Sequence, residues 1–226
     1  MSQACLSGYK MNFNVTLWYF ADPMCSWCWG FSPVLDEIKK YYGITVNIAL
    51  MLGGLRPGNT APMTEESRAE ILHHWHEVQK MTGQKFDFTN PLPEGFVYDT
   101  EPASRAVIAI SEIQPEITLP YFKHVQEAFY GDQKDVTNVS VLAELAGHFG
   151  IEKGHFLELY GSEIAKEKTR LHFQHTRQAG IKGFPTLVIQ TDKVFKVVAS
   201  GYRPFVDIKN DIDAWLQENS LSDVDE

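Results

Sequence analysis

Cys25-Ser26-Trp27-Cys28 is the segment of this chain whose residue types and spacing suit chemistry. Two cysteines three apart lie about one helical turn from each other, close enough to make and break a disulfide. The pair follows a β-branched and aromatic run over residues 14–20 and opens a stretch of helical periodicity, which predicts a strand-to-helix junction. At such a junction the unpaired backbone N–H groups and the positive end of the helix dipole stabilise a thiolate. In Cys-X-X-Cys motifs the thiol pKa falls from about 8.5 to between roughly 3.5 and 7.5. Cys25 is therefore the expected nucleophile, exposed at the helix tip, with Cys28 the deeper, resolving thiol. A zinc site would need two more ligands. No second Cys-X-X-Cys exists, and of His73, His74 and His76 only the first and last share a helical face, so no metal is expected. The third cysteine, Cys5, lies outside any motif and reads as a bystander.

The elements that must position this pair follow from hydrophobic period. A helix over about 25–42 carries Phe31, Leu35, Ile38 and Tyr42 on one face, has Pro33 in its first turns and ends at Gly43. Residues 44–52 form a near-continuous apolar run suited to a strand covered on both faces. Strand, helix and strand make a βαβ unit with a right-handed crossover. After a glycine-rich break at 53–58, helices are predicted over 64–81, 102–114, 119–129 and 138–149, then one long helix over 152–179. The last section changes period: strands over 185–190 and 194–200, joined by Thr191-Asp192-Lys193, form an antiparallel hairpin before a closing helix over 207–217. The expected organisation is an α/β core of residues 11–52 and 183–218, with a helical insertion and return helix at 53–182. Residues 1–10 read as a disordered extension and 219–226 as an acidic tail.

Composition narrows the partners. The chain has 226 residues, 44% apolar and 22% charged, as in soluble globular proteins. Its charge of 20 − 29 = −9 would repel a phosphate backbone or an anionic membrane, so neither nucleic acid nor membrane is an expected partner. No secretory pattern opens the chain and no run approaches 18 apolar residues, so a reducing cytoplasm is the expected setting. There disulfides tend to be transient and catalytic.

A second motif, Gly183-Phe184-Pro185-Thr186, opens the late hairpin. A βαβ unit with the dithiol at its helix start, then a ββα unit opening on proline, resembles the thioredoxin fold. The helical insertion resembles the DsbA family. The strings Asp22-Pro-Met-Cys25-Ser-Trp-Cys28-Trp-Gly30 and Gly180-Ile-Lys-Gly-Phe-Pro-Thr186 look most like its cytoplasmic FrnE-like branch. The resemblance implies a thiol–disulfide oxidoreductase or isomerase with a cis peptide between Phe184 and Pro185 packed against the dithiol. It implies that the Phe184 backbone pairs with extended substrate, that Pro185 supplies the shape beside the sulfurs, and that Ser26 and Trp27 face the substrate. Protein or small-molecule thiols and disulfides are the expected partners, with a homodimer left open. No tightly bound cofactor is expected, and glutathione is a candidate co-substrate. The dipeptide departs from thioredoxin's Gly-Pro and DsbA's Pro-His. Ser26 offers only a hydrogen bond and Trp27 apolar bulk, so less thiolate stabilisation is expected than in the strongest oxidants.

Other readings stay open. Kappa-class glutathione transferases and hydroxychromene-carboxylate isomerases share the insertion but carry serine at the first cysteine position, and a redox sensor or binding module is a third option. Asp22 could raise the thiol pKa by its charge, accept a proton through water, or cap the turn with Pro23. Arg56 could meet an anionic substrate group or stand as a solvated loop charge. Trp18 and Phe20 are expected in the core, and Phe86, Phe88, Phe96 and Tyr98 either fasten the insertion or line a groove.

Overall fold

The computed structural model describes residues 15–191 and 194–221. Cys5, the expected extension at 1–10, turn residues Asp192 and Lys193 and the last five residues of the acidic tail lie outside the described residues. Four strands form one mixed sheet in the order β2-β1-β3-β4: β1 (Thr16–Ala21), β2 (Asn47–Leu52), β3 (Thr186–Gln190) and β4 (Phe195–Ser200). β1 pairs parallel with β2, and β3 runs antiparallel to both β1 and β4. Helix α1 (Ser26–Tyr42) joins β1 to β2, and α8 (Phe205–Leu221) follows β4. This is the thioredoxin βαβ…ββα arrangement.

Between β2 and β3 lie α2 (Glu65–Thr82), α3 (Glu101–Ile113), a 3-10 turn at Pro115–Ile117, α4 (Thr118–Tyr130), α5 (Val139–Gly147), α6 (Lys153–Gly161) and α7 (Glu163–Gln178). The expected single helix over 152–179 is thus two. Ser162 adopts extended backbone and its hydroxyl accepts the Ala165 N–H (3.1 Å), so it ends one helix and caps the next. A serine that can cap offers the backbone an alternative to continuing the helix.

The expectation that β2 is covered on both faces also fails. It is an edge strand, and Ile48 to Met51 are only half-buried. Among the described residues no strand lies beyond it, and α7 packs against it. Trp18, expected in the core, is half-exposed, and its indole N–H donates to Gln190 Oε1 (2.6 Å). Alternation along β1 sends Leu17 and Tyr19 under α1 and α4, whereas Trp18 points to the opposite face. Phe20, on Trp18's face, is buried as expected.

Pro33 leaves α1 unbroken. Proline cannot donate to the carbonyl four residues back, and here the Gln84 side chain takes that place, donating to Trp29 O (3.0 Å) and to Ser32 Oγ (2.9 Å). An aromatic cluster then fastens the insertion to α1. Trp75 packs on Phe86, Phe129 and Tyr130 at 4.9–5.6 Å, and Trp29 stacks on Tyr130. Phe86, Phe96 and Tyr98 are buried in this cluster. Fastening is therefore their role, with the half-buried Phe88 stacked on His76 (4.0 Å) at the rim.

Candidate active site

The dithiol sits where β1 gives way to α1. Cys25 is the N-cap, in extended backbone, and its sulfur accepts the Cys28 N–H at 3.4 Å. That N–H is one of the donors a helix leaves unpaired at its start, so the cap position that serine or aspartate usually fills is held here by a sulfur. The Cys25 thiol also donates to the Phe184 carbonyl (3.6 Å) across 159 residues of chain. Both cysteines are free thiols.

Neither is exposed as the sequence suggested for Cys25: its relative exposure is 5%, and Cys28 has none. The cap turns the sulfur back over the helix start, and the segment around Phe184 covers it. Burial pushes the Cys28 thiol well above its usual range, and the neighbouring Cys25 sulfur adds to this. Burial thus favours the protonated thiol at Cys28.

Asp22 is fully buried three residues before Cys25. Its Oδ1 accepts the Met24 N–H (2.9 Å), and its Oδ2 accepts the Leu55 N–H (2.7 Å) from the loop after β2. Burial raises its pKa to about 6, while the bonds from Leu55 and Met24 and the Thr100 hydroxyl hold it lower than burial alone would. Asp22 is thus a turn cap, as Asp-Pro suggested, and it also ties two loops together. Tyr98 donates to Met24 O (2.6 Å) and Tyr19 to Cys28 O (3.5 Å), fixing the carbonyls flanking the pair.

The peptide between Phe184 and Pro185 is cis. Pro185 is buried, and its carbonyl accepts the Gly201 N–H (2.8 Å). Ser26 and Trp27 are both half-buried, and the Trp27 ring lies 6.4 Å from that of Tyr202. Cys25, Cys28, Asp22, Phe184 and Pro185 therefore meet at one end of the sheet, with Ser26 and Trp27 at its rim. Arg56 does not join them. It is exposed, its guanidinium lies 5.5 Å over the Tyr98 ring, and its backbone pairs with Thr100 in both directions.

Sequence reasoning missed Tyr202, Leu55 and Thr100 as neighbours of the site. The Asp22–Leu55 bond spans 33 residues and has no local signature. Gly201 before Tyr202 was the one available signal, since it adopts a positive φ of 86° that returns the chain from β4 toward the dithiol.

Fold and site together define a thioredoxin-fold protein with a helix-capping dithiol facing a cis-proline loop. Residues 16–212 match the DSBA-like thioredoxin domain, and the chain belongs to that family. Among solved structures it is similar to a putative protein disulfide isomerase from Nitrosomonas europaea: 45% identity, TM-score 0.86, covering 91% of this chain and 98% of that one. It is also similar to the cytosolic disulfide reductase DsbM from Pseudomonas aeruginosa: 26% identity, TM-score 0.74, covering 89% and 98%. A second structure of DsbM is with GSH. A curated relative, the ClpXP adapter protein SpxH of Halalkalibacterium halodurans, is 24% identical over 203 residues, 87% of this chain and 66% of the relative. The chain thus spans just under two thirds of that protein's length.

Proposed function

We propose that this protein is a disulfide reductase of the DSBA-like family, with Cys25 as nucleophile, Cys28 as resolving thiol and glutathione as the thiol that resets it. The observation that carries this reading is the asymmetric placement of the two sulfurs. Cys25 caps α1 at the cis-proline loop, while Cys28 is sealed beneath it with its proton held by burial.

The reaction proceeds in two exchanges. The Cys25 thiolate attacks one sulfur of a substrate disulfide, forming a mixed disulfide and expelling the other substrate sulfur as thiolate, which takes up a proton. Cys28 then gives up its proton and attacks Cys25 Sγ. The second substrate sulfur leaves, and the Cys25–Cys28 disulfide forms. Two electrons have passed from the dithiol to the substrate. One glutathione thiolate opens the new disulfide and a second removes the first as glutathione disulfide, returning both protein thiols. The Phe184 backbone beside Cys25 offers an extended substrate a pairing edge, and half-buried Trp27 and Tyr202 give it an apolar rim.

The similarity to DsbM, a cytosolic reductase with a GSH-bound structure, supports the direction, the co-substrate and a cytoplasmic setting. A glutathione pool near −220 to −320 mV would keep a dithiol without a charged dipeptide reduced. The similarity to an adapter protein supports partners that are themselves proteins. Trapping tests the assignment. Cys28→Ser, mixed with a model disulfide, is expected to accumulate a mixed disulfide on Cys25 visible by mass spectrometry. An adduct forming equally well on Cys28 in Cys25→Ser would reverse the roles.

A further inference from the structure

The loop leaving β2 reaches the dithiol through a bare Cα. A methyl group placed on Gly53 would stand 2.0 Å from Cζ and 2.3–2.5 Å from both Cε atoms of the Phe184 ring. Atoms that close overlap, so the ring rests directly on the glycine backbone. Gly54 repeats the arrangement with a second ring, since a methyl there would meet Phe173 at 2.7 Å. The loop itself is pinned from three directions. The Gly53 N–H donates to Ala21 O (2.7 Å), the Leu55 N–H donates to Asp22, and α7 holds the Leu52 peptide groups on either side. Thr176 Oγ1 donates to Leu52 O (3.0 Å), and His172 Nδ1 accepts the Leu52 N–H (3.2 Å). His172 can accept because burial lowers its pKa to about 4, leaving the imidazole neutral near pH 7. The ring therefore sits on a fixed surface, and its residue carries the carbonyl that receives the Cys25 thiol.

We propose that Gly53 is a positioning residue for the dithiol: its missing side chain is the seat of the Phe184 ring, and that seat holds the Phe184 carbonyl against Cys25 Sγ. This inference rests on the oxidoreductase reading above. The chemistry follows from the proton. The reduced thiol has an S–H to donate to the carbonyl and the disulfide has none, so the contact favours the reduced pair. Displacing the ring with a methyl group moves the carbonyl off the sulfur and shifts the pair toward disulfide.

The test is the equilibrium of the Cys25–Cys28 pair with glutathione and glutathione disulfide, read by acid quenching, alkylation and mass shift. G53A is expected to move the equilibrium toward disulfide by about three- to fivefold, the worth of one modest hydrogen bond. Adding F184A removes the ring and makes room for the methyl group, so the double variant is expected within about twofold of F184A alone. A purely structural role for Gly53 would not give that rescue, and thermal melting of all three variants reports folding separately. G53A matching wild type would overturn the inference, because the ring would then have swung aside without moving the carbonyl. So would a double variant shifted as far from F184A as G53A is from wild type. A wild-type pair that fails to exchange with glutathione would overturn the oxidoreductase reading and this inference together. A wild-type pair that exchanges, with an unshifted G53A, overturns the inference alone.

Discussion

At the scale of single residues, the site is governed by what burial does to each titratable group. Cys28 loses its water entirely and holds its proton, whereas Cys25 has both an N–H donor and a carbonyl acceptor within reach. Asp22 makes a quantitative prediction. Its folded pKa of about 6 lies above the unfolded value of 3.8, so the folded chain binds this proton more tightly. Folding is therefore favoured in acid, and the contribution is lost as pH rises from about 4 through 6. A shift near two units corresponds to roughly 3 kcal/mol. Urea unfolding of wild type and Asp22→Asn across that range should show wild type losing stability relative to the variant as pH rises. A pH-independent difference would mean that Asp22 is not buried as a carboxylate. The dithiol itself was legible in the sequence because spacing and position are local. The burial of Cys25 was not, because the segment that covers it arrives from 159 residues away.

At the scale of elements, the core was legible wherever periodicity alone decides. The βαβ unit, the late hairpin and the helices of the insertion all stand close to where their patterns put them. The errors arose where one residue or one neighbour decides. Ser162 splits a helix that its flanking pattern would continue, and the edge position of β2 depends on strand order, which no local pattern encodes. The split predicts its own energetics. Ser162→Ala removes the cap on α7 and should cost about 1 kcal/mol, seen as a lower urea midpoint at unchanged slope. An unchanged midpoint would show that α7 is held by packing alone. Gln84 plays the corresponding part for α1. Gln84→Ala leaves the carbonyl freed by Pro33 without its side-chain donor, and stability is expected to fall by roughly 1–3 kcal/mol. Thermal denaturation checks this, and a variant as stable as wild type would contradict it.

At the scale of the whole molecule, the helical insertion and the core act as one body around the dithiol. Tyr98 reaches from the insertion to the Met24 carbonyl, Trp29 joins α1 to the aromatic cluster, and α7 clamps the loop beneath Phe184. Trp75 is the largest fully buried side chain in that assembly. Trp75→Ala should destabilise the protein by about 3–5 kcal/mol in urea unfolding, and a loss below 1 kcal/mol would mean that the cluster collapses around the gap. The most direct measurement is glutathione-driven reduction of a protein disulfide such as insulin by wild type and Cys25→Ser. Turnover by wild type, falling by a factor on the order of a thousand or more in Cys25→Ser, is the predicted result. Equal activity in the two proteins would contradict the account at its centre.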